Sequence, residues 1–173
     1  LLSEEAGAKF MRNMVDELAR LRQQAQNGWQ TGSNPAYGLL SRIAVVDDAR
    51  AAEILRNEPN AAQIIGTGMG SSPNCPFMQS QGTRGLDLLT TDEPAKFQEL
   101  GVEPVLHAMR EFPEDVLLQS RGMHFLGQAA LRHPDFTRQI HELDGAIPII
   151  EAMRRWPMDP DVQRYGSWAI GAL

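Results

Sequence analysis

The sequence lacks the residues that several common functions require. Cys75 is the single cysteine among 173 residues, so the chain can form neither an internal disulfide nor a zinc site with several cysteine ligands. Lysine occurs only at Lys9 and Lys96, which disfavours phosphate binding and attachment to an anionic membrane surface. No apolar run approaches the roughly 20 residues that a membrane span needs, so we predict no membrane insertion.

Positive charge is also scarce. Lys and Arg number 16 against 22 Asp and Glu, which gives a net charge of −6. Domains that bind nucleic acid are usually basic, so we predict no nucleic-acid partner. The N-terminus has neither a starting Met nor a basic segment, and it predicts no signal peptide. We expect a fragment or a processed product of an intracellular protein, cytoplasmic or cytoskeletal, with an organellar complex as the alternative.

Glycine and proline, by contrast, are abundant and recur at regular distances. The 15 glycines and 11 prolines make up 26 of the 173 residues, a larger fraction than their combined average of roughly 12%. Three interleaved series have members 40 or 44 residues apart, a period that predicts a helical repeat. The series are Gly38, Gly82, Gly122 and Gly166; Asn57, Gly101 and Gly145; and Pro73, Pro113 and Pro157.

Each repeat is predicted to contain three helices. The first is short: it starts at an N-capping Asp such as Asp47, Asp92 or Asp135 and ends at a left-handed Gly or Asn of the second series. The second begins with a proline and buries an apolar stripe. The stripes are Val102, Val105, Leu106 and Met109, and then Ile147, Ile149, Ile150 and Met153.

The third helix contains an internal glycine, at Gly122 or Gly166. Such a glycine lowers helix propensity, so we interpret its recurrence as a close approach between helices, with contact to a ligand as the alternative. The predicted units cover about 51–92, 94–134 and 136–173, with an incomplete unit at 3–48.

The segment 145–153 followed by 162–173 resembles the armadillo repeat, and the resemblance weakens toward the N-terminus. It implies an all-α chain, a right-handed α-solenoid of armadillo-like three-helix repeats over 1–173. The third helices of that family line a concave groove that binds peptides or partner domains, and the family implies no catalysis and no cofactor. Importin-like members carry a Trp and, four residues later, an Asn on this helix. Here Trp168 is followed by Ala172, so we expect a partner other than a nuclear-localisation peptide.

Other chemistry finds little support. The four histidines show no metal-ligand spacing, and Cys75 has no nearby His, so we predict neither a metal site nor a cysteine nucleophile. With the absence of catalysis and cofactors that the resemblance implies, we expect no enzyme. The Gly-rich run 66–72 lacks the lysine of a phosphate-binding loop and is interpreted as the end of a second helix. Asp47 and Asp48 are interpreted as a solvated helix start.

We therefore expect a non-catalytic scaffold or adaptor that binds a protein partner, within a larger assembly, rather than a small molecule. The predicted groove contacts are Arg84, His124, Gln128, Arg164 and Trp168. Trp168 is expected either on the groove surface or in packing between repeats. The alternative is a structural subunit of a cytoskeletal, ciliary or organellar membrane complex, held by its ends and convex face. Ile170 and Leu173 lie near an end with no cap, so we expect further repeats or another subunit to cover them.

Overall fold

Nine α-helices and no strand make up the residues that the computed structural model describes, which are 34–92, 101–132 and 134–173. Residues Pro35–Leu173 form one compact unit. Predicted features in 1–33 and 93–100 lie outside the described residues. The helices are α1 (Pro35–Ala44), α2 (Asp48–Arg56), α3 (Ala61–Ser71), α4 (Pro76–Asp92), α5 (Glu103–Glu111), α6 (Val116–Arg132), α7 (Pro134–Glu142), α8 (Ala146–Arg155) and α9 (Pro160–Ala172).

Three helical hairpins, α3–α4, α5–α6 and α8–α9, share the same connection. In each, a short helix is joined to the next by a tight turn whose second residue is a proline of the third series, Pro73, Pro113 or Pro157. Proline suits this turn position because its fixed φ matches the geometry. The turns close through the bonds Cys75 N to Ser72 O (3.1 Å), Asp115 N to Phe112 O (3.2 Å) and Asp159 N to Trp156 O (3.2 Å).

A glutamine fastens each hairpin in the same way. Its Nε2 donates to two carbonyl oxygens, one in the last turn of the first helix, where intrahelical donors run out, and one on the residue before the turn proline. We call this arrangement the glutamine clamp. The clamps join Gln79 to Met69 O (2.9 Å) and Ser72 O (3.0 Å), Gln119 to Met109 O (2.8 Å) and Phe112 O (3.1 Å), and Gln163 to Met153 O (2.8 Å) and Trp156 O (3.1 Å).

The recurring glycine of the longer helix lies against the methionine of the clamp. A Cβ atom there would be 2.6 to 2.7 Å from a methionine sulfur, closer than real contacts allow. The pairs are Gly82 with Met69, Gly122 with Met109, and Gly166 with Met153. The close-approach interpretation is confirmed at these three positions. It is wrong for Gly38, which has open space around it.

The helix ends correct several predictions. Gly101 adopts the left-handed conformation as predicted, with φ +70°. Elsewhere the left-handed residues are Asn60 (φ 60°) and Asp144 (φ 51°), not Asn57 and Gly145. Glycine at position 145 is instead required for space, because a Cβ atom would lie 2.9 Å from the carbonyl oxygen of Ile140.

The predicted helix starts and apolar stripes are partly confirmed. Asp47 caps α2 by accepting from Arg50 N at 2.9 Å, whereas Asp92 ends α4 and Asp135 lies inside the first turn of α7. The stripe Val102, Val105, Leu106 and Met109 is fully buried. Of the predicted α8 stripe only Ile149 is buried, since Ile147 and Ile150 are 52% and 39% exposed and Met153 is half-buried.

The longer helices of the three hairpins lie side by side, with α6 packed against both α4 and α9. Phe125, Leu126 and Leu86 are fully buried in this layer. Helix α2 also packs on α4. One surface therefore exposes side chains of α2, α4, α6 and α9 in succession, and the candidate site lies there.

Candidate functional site

A cleft of about 270 Å³ opens on this surface. Its lining alternates acidic, basic and aromatic side chains from four helices. They include Asp48 of α2, Asp87 of α4, Arg121 and His124 of α6, and Asp161 and Tyr165 of α9.

Asp48 is the acidic centre of one end of the cleft. Its carboxylate lies 2.8 Å from Arg84 and 2.9 Å from Arg121. Burial by itself raises the pKa of Asp48, but the hydrogen bonds and charges of Arg121 and Arg84 outweigh it, and the pKa lies below its usual value. Asp48 therefore pairs with two arginines from two other helices, and it is not only the solvated helix start that the sequence predicted.

Arg84 lies beneath this end of the cleft. Its Nη1 donates to Ile43 O at 2.7 Å and its Nη2 to Val46 O at 2.8 Å, which satisfies carbonyls at the end of α1. Its Nε donates to Asp48 at 2.9 Å. The residue is only 9% exposed, so it positions Asp48 and the end of α1 from below the surface.

Asp87 and His124 form a hydrogen-bonded pair in the middle of the cleft. His124 Nδ1 lies 2.6 Å from Asp87 Oδ1, and Arg121 lies 3.7 Å from the other oxygen. Asp87 is 5% exposed, and its burial raises the pKa of the carboxyl above its usual value. The hydrogen bond with His124 and the charge of Arg121 offset only part of that rise.

The other end of the cleft is aromatic. The rings of Tyr165 and Trp168 lie 4.8 and 5.5 Å from the ring of His124. Trp168 is half-buried, and it packs so closely on Gly127 that a Cβ atom there would lie 2.7 Å from its Cζ3. Packing between α6 and α9, one of the two roles predicted for Trp168, is therefore part of its environment.

Arg164 sits above Tyr165. Its Cζ lies 4.4 Å from the ring centroid, and its Nη2 is 2.8 Å from both the Tyr165 hydroxyl and Asp161 Oδ1. A guanidinium over an aromatic ring is held by the negative face of the ring. Arg164 thus extends the row of charges across α9.

The predicted groove contacts are only partly brought together. Arg84, His124 and Trp168 occupy equivalent positions of α4, α6 and α9, 40 and 44 residues apart, but Arg84 is covered. Gln128 is half-buried on α6, one turn after His124. The partner-binding role of the five residues stays a prediction.

Sequence reasoning missed Asp48, Asp87, Arg121, Asp161 and Tyr165. One signal could have found three of them: Arg84 with Asp87, Arg121 with His124, and Asp161 with Arg164 are each three residues apart, the spacing that places two side chains on one helix face.

The described residues give no support to metal or thiol chemistry. They contain no group of three His, Cys, Asp or Glu side chains that could hold a metal ion. Burial raises the pKa of the Cys75 thiol, which disfavours the reactive thiolate. Among the helices described, none has the length and apolar character to cross a membrane.

The described part of the chain is thus all-helical, with one hairpin design used three times and a charged, aromatic cleft across the longer helices. The chain matches no model of a known protein family, no curated protein and no solved structure.

Proposed function

We propose that this chain is a segment of an armadillo-like α-solenoid that binds a protein partner through the cleft. Three hairpins with the same turn, clamp and glycine contact support a repeat architecture, because each copy places the same residue types at the same helical positions. The short helices α2 and α7, which precede α3 and α8, supply the first helix of a three-helix unit.

The observation that carries the proposal is the continuous row of interacting polar and aromatic groups across four helices. It runs from Asp48 through Arg121, Asp87 and His124 to Tyr165. Holding charges in partly buried positions is unfavourable unless they are paired, and hydrophobic packing would serve stability equally well. A surface that keeps such a row is better suited to recognising another molecule than to holding the fold together.

The composition of the cleft fits a protein partner. Aromatic and arginine side chains are the residues that anchor protein interfaces, and here they lie in a concave surface formed by rigid helices. The cleft is small for a free organic ligand, since such pockets are usually roughly 300 to 1,000 Å³. These properties support the proposed binding role.

A second candidate is a structural subunit held by its ends. Ile170 of α9 is 40% exposed, whereas the equivalent Leu126 and Leu86 are fully buried under the neighbouring hairpin or helix. Ile150 is 39% exposed, whereas its equivalent Leu106 is fully buried. This apolar end face, formed by Ile150 and Ile170, favours a contact away from the cleft.

The test blocks the cleft with an exposed residue that the fold does not need. Leu117 lines the cleft and is 53% exposed, and Leu131 is 60% exposed on the same helix without lining it. Partners captured by crosslinking in cells are compared for wild type, Leu117→Arg, Leu131→Arg and Ile170→Arg, and the binding is repeated with the purified partner.

We expect Leu117→Arg to lose the partner and Leu131→Arg to retain it. Retention by Leu117→Arg with loss by Ile170→Arg would overturn the cleft proposal in favour of the end-held subunit. Circular dichroism on each variant shows that the comparison is between folded proteins.

A further inference from the structure

We propose that the cleft receives one uncharged, apolar side chain of the partner, which packs on Leu117. The inference rests on the proposed function and names the chemistry of the group that the partner inserts. Three apolar residues from three helices line the cleft, namely Ala52 of α2, Leu88 of α4 and Leu117 of α6. We call these three residues the apolar seat.

The charged side chains that line the cleft already have hydrogen-bonding or ionic partners in this chain. A further charge brought into the cleft would either break one of these contacts or lie beside them without a partner, and both are unfavourable where water is partly excluded. The cleft therefore favours a side chain without a charge. The contacts are Asp48 with Arg84 at 2.8 Å and with Arg121 at 2.9 Å, Asp87 with His124 at 2.6 Å, and Asp161 with Arg164 at 2.8 Å.

The uncharged polar groups of the lining also have partners. Ser120 Oγ donates to Leu117 O at 3.1 Å, and the Tyr165 hydroxyl lies 2.8 Å from Arg164 Nη2. An amide or hydroxyl group that moved from water into the cleft would lose hydrogen bonds that these occupied groups replace poorly. Among uncharged side chains, the cleft therefore favours an apolar one.

The apolar seat is the part of the lining that still gains from being covered. Leu117 is 53% exposed, and Leu88 and Ala52 are half-buried. A single exposed leucine is ordinary on a protein surface, but here apolar residues of neighbouring helices meet in one concavity. Covering them removes apolar surface from water, which is the main favourable contribution to most protein association. A volume of about 270 Å³ suits one inserted side chain rather than a folded domain.

The other two hairpins show what happens at the position equivalent to Leu117. Phe77 of α4, Leu117 of α6 and Asp161 of α9 are 40 and 44 residues apart. Phe77 is half-buried, and its ring centroid lies 5.4 Å from that of Tyr37 of α1. Asp161 is exposed, so the hairpin tolerates a charge at this position and does not require a leucine. The partner's side chain covers Leu117 in the way that the Tyr37 ring covers Phe77.

The first experiment selects the occupant from all side chains at once. A library of random short peptides displayed on phage is depleted on the immobilised Leu117→Arg variant and then selected on the full wild-type chain. We expect the enriched peptides to share an apolar residue at one position. A shared Arg, Lys, Asp or Glu at that position, or the absence of any peptide that prefers wild type, would overturn the proposal.

A synthetic copy of the most enriched peptide then measures the contribution of Leu117. Leu117→Ala removes part of the apolar seat without adding a charge, so we expect the peptide to bind roughly three- to tenfold more weakly. Leu131→Ala is the matched control, because Leu131 is 60% exposed on the same helix and does not line the cleft. Equal affinities of the two variants for the peptide would show that the peptide does not pack on Leu117, and the proposal would be wrong.

Salt distinguishes apolar packing from binding through the charges of the cleft. Burial of apolar surface is not screened by ions, so we expect the Kd of the peptide to stay within about twofold between about 50 and about 500 mM NaCl. An increase in Kd of more than about fivefold over this range would mean that the peptide binds through charged groups, and it would overturn the apolar seat.

The outcomes of these experiments and of the cleft test can be told apart. A cellular partner that is lost with Leu117→Arg, without any enriched apolar peptide, would overturn the apolar seat and leave the cleft proposal standing. An apolar peptide that binds the seat, together with a cellular partner that Leu117→Arg retains, would overturn the cleft proposal instead.

Discussion

Asp48 and Arg121 form an ion pair at 2.9 Å although 73 residues separate them in the sequence. Arg84 binds the same carboxylate at 2.8 Å. One side chain at the first residue of α2 therefore joins α4 and α6 on the surface where the cleft opens. The contacts of Asp48 make the stability of the fold and the electrostatics of the cleft depend on the same groups.

The lowered pKa of Asp48 predicts a pH dependence. Its ionised form stabilises the fold above the pKa of the unfolded chain, and this contribution is lost as the pH falls through the folded pKa. Asp48 is about half exposed, so we expect about 1 kcal/mol or less. Urea unfolding of wild type and Asp48→Asn from pH 7 downward measures it. The prediction would be contradicted if the unfolding free energies of the two proteins changed with pH in the same way.

Asp87 predicts the opposite pH dependence of the unfolding free energy. Its folded pKa is raised, so the fold favours the protonated acid, and the stability contribution of this group is lost as the pH rises through the folded pKa. We expect the stability of Asp87→Asn relative to wild type to increase as the pH rises above about 4, the usual pKa of the carboxyl in an unfolded chain. The same unfolding series provides the measurement, and a difference that shrinks with rising pH would argue against it.

The glutamine clamp predicts that replacing its glutamine by alanine lowers the stability of the fold. Gln119→Ala removes the side-chain donor of the buried Met109 carbonyl oxygen and leaves Phe112 O with the turn bond from Asp115 N alone, and we expect a loss of about 1 to 3 kcal/mol. Gln128→Ala, the same substitution on the same helix, has no clamp to break. Equal midpoints of chemical unfolding for the two variants would show that the clamp does not stabilise the hairpin.

Two glycines in helices predict opposite responses to alanine. Gly127→Ala pushes a methyl group into the rigid Trp168 ring, and overpacking of this kind costs about 1 to 3 kcal/mol. Gly38→Ala has open space and gains helix propensity, about 1 kcal/mol. The Tm should therefore fall for Gly127→Ala and rise for Gly38→Ala. A rise in Tm for Gly127→Ala would contradict the close packing of α6 on α9.

Arg84 predicts that its replacement lowers the stability of the fold and does not affect partner binding alone. Arg84→Ala leaves Ile43 O, Val46 O and the Asp48 carboxylate without a donor from α4, and we expect a loss of about 2 to 4 kcal/mol. Arg50→Ala, which removes an exposed pair with Glu53 at 2.7 Å, should change stability by less than about 1 kcal/mol. Similar unfolding free energies for both variants would contradict the positioning role.

Local features were predictable where one helix or turn determines them. The prolines Pro73, Pro113 and Pro157 and the glycines Gly82 and Gly122 recur because each hairpin repeats the same short-range geometry. The all-helical class follows from the same periodicity.

The site was harder to predict, because its contacts depend on how helices stack. Arg84 reaches Ile43 O across 41 residues and His124 reaches Asp87 across 37, and no pattern within one helix specifies either pair. The helix ends also shifted by one to three residues. Asp144 adopts the left-handed conformation next to Gly145, and Asn60 adopts it instead of Asn57.

The glutamine clamp has a consequence for how such a chain can change in length. Each clamp joins residues only seven or ten positions apart, so all of its hydrogen bonds close inside one hairpin. A gene duplication or deletion that adds or removes a whole hairpin therefore breaks none of them. Duplication of a complete hairpin thus copies its clamp intact, whereas an insertion between Met109 and Gln119 separates the donor from its acceptors.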